Sequence, residues 1–534
     1  MTNAALYKRT VILLLIIYAS VQVYCINQLT INDDEGSFAS YGVTILKLHP
    51  NKDVLLYESK LPITALNMIP RAAEQIINPH LKKTWPASTS DVIHGRYVSL
   101  LFSILLGLLI FKWSKEIYSE KTALIVFSLY LLCPNFLAHG IFVSSDIFAC
   151  FFMTLALYFF WKFSFQFSTR YFFLMSVATG FAQISKFSMF HLFIIFPLLA
   201  LIVFITKNDV SRPSNITIRK AVFFTSLFIL TNWIIICASH LFYQIFLPIK
   251  DYTFMSSTCK ELQKAFVGFT PRFPVPLPSS YIRSMDAVMY FDQLGGGFKH
   301  SLNGPVYLLG KSSNYGFWYY YFVTLFYKLP ISILLLWIGS ICLFIRNFQK
   351  STFTKTDIFL ILPAVYFLIY MNFFYSTQLG VRHIMIIFPI LFIFSGKMIA
   401  FLLEKKKILL YVLFAYQIVS VFRYFPDFLP YTNEFILDKK LAYKKFADSS
   451  LGYGEAKNYL SEYLRQHHKA IFQPEKPMAG EIIMPASEIV NLNIATMHKY
   501  DWVRSLKPVG HIHSQYLIFD VSSRVADSLQ KLYP

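Results

Sequence analysis

Apolar runs of about 20 residues, each long enough to cross a hydrocarbon core as a helix, recur along most of this chain. They fall near 10–27, 94–112, 122–138, 146–163, 171–185, 187–206, 221–246, 317–345, 357–375, 383–402 and 408–425. With 55% hydrophobic and only 15% charged residues among 534, a water-soluble fold could not hide so much apolar surface. Backbone groups in lipid must pair within their own segment, which for such runs means helices. The expectation is an α-helical polytopic membrane protein with about 11 transmembrane helices.

A formal charge of +20 would suggest nucleic acid in a soluble chain. Here the basic residues sit between apolar runs, so topology accounts for them and a nucleic-acid partner is not expected. Lys8 and Arg9 precede the first run, and Lys112, Lys115 and Lys121 separate the second from the third. Lys162 and Arg170, then Lys207, Arg212, Arg219 and Lys220, follow the fourth and sixth. Arg346, Lys350 and Lys355 follow the eighth, and Lys405, Lys406 and Lys407 the tenth. If the spans alternate, all of these share one side, which puts the N-terminus in the cytoplasm and the C-terminal tail outside it. The first run lacks a convincing small-residue cleavage site and reads as a retained signal anchor. The six cysteines form no disulfide framework and no zinc spacing.

The large segments then lie on the outer side. Residues 28–93 carry the acidic cluster Asp33-Asp34-Glu35 and a mixed region, Val54 to Ile77, suited to short interfacial helices. Residues 247–316 hold Phe273-Pro-Val-Pro-Leu-Pro278 and Gly295-Gly-Gly297, which read as irregular. Residues 1–425 form the membrane region, and polar residues return over 426–534. The alternating segments Glu481-Ile-Ile-Met484 and Gln515-Tyr-Leu-Ile-Phe-Asp520 there suggest a small extracytoplasmic α/β domain. No internal repeat is visible, whereas many transporters are built from two related halves.

Charged residues at the outer ends of the spans need an account. Asp33 or Asp34 is a good helix cap, as is Asp146 at the start of the fourth span. Lys60, Lys186, Lys328, Arg382 and His383 run against the positive-inside bias, so each must be paired, snorkelling or functional. Arg96 suits an interfacial anchor. Taken together, acids and cations gather on one face of a membrane protein, which fits a reaction on an anionic, phosphate-bearing lipid.

These residues lie in ordered motifs: Asp34-Glu35, Glu58-Ser-Lys-Leu-Pro62, Pro134-Asn-Phe-Leu-Ala-His-Gly140 to Asp146, and Gly180 to Lys186. Gly316-Phe-Trp-Tyr-Tyr320, Lys328-Leu-Pro330 and Gly380-Val-Arg-His383 continue the series, with a weaker extension over Phe425 to Glu434. The order resembles the bacterial dolichyl-phosphate-mannose–protein mannosyltransferase-like branch of the GT-C glycosyltransferase superfamily. Lipid A aminoarabinose transferase is a more distant relative.

The resemblance implies an inverting glycosyltransferase of the bacterial inner membrane. Its donor would be a polyprenyl-phosphate sugar and its acceptor a protein, lipid or glycan hydroxyl. Asp34 would be the general base, Glu35 the second member of the acidic pair, and Asp146 a further acid. Lys60, Lys186, Lys328, Arg382 and His383 would bind the substrate phosphate. No cofactor is assigned; a divalent cation is an option at the acids, with no metal ligands assigned. The sequence departs from the family at Leu61, where a proline is usual. Asp448-Ser-Ser-Leu-Gly-Tyr-Gly454 lacks the acid and tryptophan of a family stretch, so the tail receives no catalytic role. The alternatives are a transporter or flippase for a lipid-linked anion, whose charges would lie near the bilayer midplane, and a polymerase or ligase of lipid-linked glycans.

Overall fold

The computed structural model describes all residues except 1–2, 50–58, 78–88, 206–216, 296–303, 350–354, 453 and 534. Glu58 of the lysine motif, residues 54–57 of the expected interfacial region, Gly296, Gly297, Lys207, Arg212 and Lys350 thus lie outside the described residues.

In chain order, α1 (Asn3–Gln28) leads to α2 (Glu35–Leu46), α3 (Ala65–Ile77) and the long α4 (Thr89–Ile117). Next come α5 (Glu120–Leu131), α6 (Pro134–His139), α7 (Asp146–Gln166), α8 (Thr169–Gln183), α9 (Leu192–Ile205) and α10 (Ile218–Ser239). Then follow α11 (Ser257–Phe269), α12 (Ser279–Leu294), α13 (Tyr320–Lys328), α14 (Ile331–Gln349), α15 (Lys355–Phe373), α16 (Phe388–Lys405) and α17 (Lys407–Phe422). Seven of these, α1, α4, α7, α10, α14, α15 and α16, contain a stretch long and apolar enough to cross a membrane. The segments Phe187–Ile202 and Lys407–Phe422 are shorter apolar helices. Exposed Leu13, Ile16, Val222, Phe223, Ile229, Ile338 and Ile341 give the bundle an apolar exterior suited to lipid.

Three expected spans have different ends, each for a local reason. The run 317–345 is two helices, because Pro330 forces Leu329 into an extended conformation. The run 122–138 breaks at Cys133-Pro134 in the same way. The run 383–402 starts with two 3-10 turns, Val381–His383 and Met385–Ile387, so Arg382 and His383 precede the helix. The described part of 247–316 is also more ordered than its proline content suggests. It forms α11, α12, and the strands β1 (Leu247–Pro248), β2 (Pro274–Val275), β3 (Val306–Leu308) and β4 (Lys311–Ser313).

Three of the turns expected to share the cytoplasmic side meet at one end of the bundle. Lys162 Nζ lies 3.1 Å from Glu116, and the Trp161 indole donates to the Thr356 hydroxyl at 2.9 Å. Lys162 is sixteen residues along α7 from Asp146, roughly 24 Å by helical rise, so the charges flanking α7 mark opposite ends.

The tail folds around β5 (Ile471–Phe472), β6 (Gly480–Pro485), β7 (Gly510–Ile512) and β8 (Tyr516–Val521), ordered β5-β6-β8-β7. Strand alternation buries Ile482, Met484, Leu517 and Phe519 against Trp502 on one face. Ile483 and Ile518 face the other way and pack with Leu460 of α18 (Lys457–Gln466). The expected α/β character of this unit is therefore present. It packs on the cavity end of the bundle, where Thr30 N donates to Glu455 O at 2.9 Å.

Candidate functional site

The site begins at the turn that starts α2. The Asn32 side chain accepts hydrogen bonds from the backbone N–H groups of Asp34 (3.0 Å) and Glu35 (2.9 Å). Glu35 reaches back to accept from Asn32 N at 3.0 Å, a reciprocal arrangement like a capping box. The cap is thus Asn32, while Asp34 makes no side-chain capping bond and instead meets Arg382 at 2.5 Å.

Glu35 points elsewhere. Its carboxylate binds the Arg96 guanidinium at 2.6 and 2.8 Å and accepts from Val143 N at 2.9 Å. Both members of this pair are 0% exposed. Arg96 also donates to the Leu29 and Thr30 carbonyls at 2.8 and 2.7 Å. The pair therefore ties the end of α1, the start of α2, α4 and the loop before α7 together, and Glu35 does not line the cavity. Arg96 is correspondingly a buried partner and not an interfacial anchor.

Close packing places the lysines. A Cβ on Gly42 would lie 2.6 Å from Thr64 O, so only glycine lets α2 press on the 3-10 turn Pro62–Thr64 that follows Lys60. Ile63 N in turn donates to Ile184 O at 3.2 Å, joining that turn to the loop bearing Lys186. Lys186 Nζ reaches Asp146 at 2.7 Å. Asp146 opens α7, where a negative charge suits the helix N-terminus.

Asp34, Asp146, Lys60, Lys186, Arg382 and His383 all line one cavity of about 420 Å³. Six of the eight expected site residues are brought together. Glu35 and Lys328 are not: Lys328 is buried, donating at 2.6 Å to both Leu429 O and Ser450 O beneath the tail. Hydroxyls from Ser59, Ser145, Ser188 and Thr377 supply neutral polar contacts, and the buried Ser188 hydroxyl has no partner among the described residues. Phe38, Phe187, Tyr375 and, from α12, Phe291 form apolar walls. Sequence reasoning missed these residues. The hydroxyls next to Lys60, Asp146 and Phe187 were a signal of proximity, but nothing marked Phe291.

Electrostatically, the cavity holds Lys60, Lys186 and Arg382 against two carboxylates. Burial raises the Asp34 carboxyl, but the bonded Arg382 guanidinium outweighs it, with help from Lys60, and the net shift is downward. Burial, reinforced by Lys186 and Arg382, pushes the His383 imidazole well below its usual range and leaves it neutral. The described cavity therefore carries a net positive charge and suits a phosphate. Among the described residues no group of three or more His, Cys, Asp or Glu side chains converges as metal ligands do. Asp34 and Asp146 already have Arg382 and Lys186 as partners.

Residues 90–242, which include Asp146 and Lys186, match the family described as dolichyl-phosphate-mannose-protein mannosyltransferase. The resemblance read from the motifs agrees with this match over that segment. No curated protein matches it. Similar solved structures include the Archaeoglobus fulgidus oligosaccharyltransferase tethered to an acceptor peptide containing the NVT sequon. It is 14% identical, with a TM-score of 0.48, over 85% of this chain and 57% of that one. The same enzyme, AglB, with an inhibitory peptide and a dolichol-phosphate, gives 14%, 0.48, 85% and 58%. The chain thus spans a little over half the length of that protein.

Proposed function

We propose that this protein is an inverting glycosyltransferase that moves one monosaccharide from a polyprenyl phosphate to an acceptor hydroxyl outside the cytoplasm. The acceptor is a protein, lipid or glycan, and the protein sits in a bacterial inner membrane with its N-terminus cytoplasmic. The observation that carries this reading is the single cavity in which Asp34–Arg382 and Asp146–Lys186 stand beside Lys60. The family's sequence across Asp146 and Lys186 supports it.

The acceptor oxygen attacks the anomeric carbon as the bond from that carbon to the phosphate oxygen breaks. The hydroxyl proton passes to the Asp34 carboxylate, and the polyprenyl phosphate leaves on the opposite face. One base suffices for such a displacement, whereas retention needs a nucleophilic carboxylate. The leaving phosphate gains about one negative charge, which Arg382, Lys186 and Lys60 are arranged to stabilise as it develops. A carboxylate held low by Arg382 is a weak base until its partner is engaged elsewhere. When the donor phosphate draws on Arg382, Asp34 loses part of that stabilisation and its proton affinity rises. Donor binding thereby activates the base.

Depth argues against a transport role. Asp146 is the first residue of the 21-residue α7, Lys186 follows α8, and Arg382 precedes the 18-residue α16, whereas a transporter site lies near the bilayer midplane. The test is incubation of the purified protein with labelled polyprenyl-phosphate monosaccharides and candidate acceptors. Transfer that requires Asp34 is expected; absence of turnover with every such donor, or full activity in Asp34→Asn, overturns the proposal.

A further inference from the structure

A short stretch of the tail touches both loops that bear the Asp34–Arg382 ion pair. On the Arg382 side, the Ser449 hydroxyl donates to Leu379 O at 3.0 Å, and Val381 N donates to the Ser450 hydroxyl at 3.3 Å. The Tyr320 hydroxyl donates to Asp448 and accepts from Gly380 N at 2.8 Å. Gly380 adopts φ +75°, and a Cβ there would fall 2.5 Å from the Ser449 hydroxyl. The loop therefore fits beneath the strap only with glycine at this position.

On the Asp34 side, Thr30 N donates to Glu455 O at 2.9 Å, and the Thr30 hydroxyl lies 2.8 Å from the carbonyls of both Gly454 and Glu455. Lys457 reaches Asp33 at 2.8 Å. Between the two sides the strap is fastened to the bundle, because Lys328 donates to Ser450 O at 2.6 Å. This gives the lysine that lies outside the cavity a structural task.

We propose that residues 448–452 and 454–457 are a positioning strap that fixes the register of Asp34 against Arg382, making the C-terminal unit part of the transfer site's framework. None of its residues touches the reacting atoms; Tyr320, Ser450 and Thr30 act through the two loops. The inference rests on the glycosyltransferase reading for its kinetic consequences, but not for its structural ones. Misplacement of about 1 Å at a site of this kind costs on the order of a hundredfold in rate, so a partial loosening should cost about tenfold.

The test uses the full-length protein in detergent or nanodiscs, with Tyr320→Phe and Thr30→Val. Amide hydrogen exchange should rise at Gly380 and Val381 in the first variant and over residues 30–35 in the second. The kinetics should divide in the same way. Thr30→Val, acting on the loop of the base, lowers kcat with donor KM unchanged. Tyr320→Phe, acting on the phosphate-binding loop, lowers kcat and raises donor KM. If Tyr320→Phe fails to fold, Ser449→Ala probes the same loop more gently. Unchanged exchange in both loops overturns the strap, as does raised exchange with wild-type kcat. Identical kinetic losses in both variants that track thermal lability also overturn it, since they mark general destabilisation. If the wild type transfers no sugar, the glycosyltransferase reading fails and exchange alone decides the strap.

Discussion

Replacing Arg96 with methionine separates architecture from chemistry at the acidic cluster. Methionine keeps the apolar body of the side chain but removes the guanidinium, whose contacts include the two bonds to Glu35 and those to the carbonyls of Ile26, Leu29 and Thr30. Glu35 is then fully buried with only the N–H groups of Asn32 and Val143 around it. Removing one partner of a buried pair destabilises by about 3–5 kcal/mol, because the remaining charge keeps its desolvation cost. If the pair is already broken in the unfolding transition state, that loss accelerates unfolding by roughly a hundredfold to several thousandfold. The assay is built into the sequence: Cys25, Cys133, Cys150, Cys237 and Cys259 are buried and Cys342 exposed. A thiol-reactive dye therefore reports unfolding above a constant background. Arg96→Met should label far faster than wild type, and Glu35→Gln, which keeps shape and some hydrogen bonding, more moderately. Turnover per folded molecule of Glu35→Gln should stay near wild type. Wild-type labelling by Arg96→Met would refute the reasoning. Lost turnover in a stably folded Glu35→Gln would return Glu35 to a catalytic role.

Four other outcomes follow from the same geometry. Asp34→Asn should lower kcat by at least about a hundredfold, without weakening donor binding, since it leaves Arg382 available to the phosphate; a raised donor KM with kcat intact would contradict this. Lys186→Met removes a cation from the cavity and unpairs Asp146, and should cost about a hundredfold in kcat/KM in the transfer assay. Because Arg382 holds the Asp34 carboxyl down, their pair adds stability above the unfolded carboxyl pKa of about 3.9 and loses it as pH falls through the lower folded value. In pH–rate profiles, the acidic limb of kcat should therefore lie at higher pH than that of kcat/KM, since only the donor complex has Arg382 engaged. Lys328→Met should speed thiol labelling and, by unfastening the strap at Ser450, lower kcat and raise donor KM as Tyr320→Phe does.

The spans were legible because an apolar run of sufficient length has few alternatives. Their breaks were not, because a count of apolar residues runs straight through Leu329-Pro330 and Cys133-Pro134 unless proline chemistry is weighed first. Most of the site was legible for a related reason: a charge beside an apolar run has few places to go, and Asp146, Lys186 and Arg382 went to the cavity. Adjacent residues defeated the same logic. Asp34 and Glu35 look alike in sequence, but one helical step turns a side chain by about 100°, and that step sends Glu35 to Arg96. Lys328 and Lys186 likewise carry the same charge beside similar runs, and only the folded tail separates their roles. The strap could not be seen, since it joins Thr30 to Glu455 across most of the chain.

The ion pairs themselves carry a rule that the sequence alone lacks. Glu35–Arg96 is 0% exposed on both sides, so exchanging either partner for a substrate would strand a charge without water. Asp34–Arg382, at 33% and 13% exposed, opens onto the cavity, where an incoming phosphate can replace the carboxylate at Arg382 without leaving Asp34 desolvated. Asp146–Lys186 lines the same space. Charges sealed from the cavity hold the loops, and charges that open onto it are able to trade partners. That division, more than proximity to the first span, supports the proposal of Asp34 rather than Glu35 as the base.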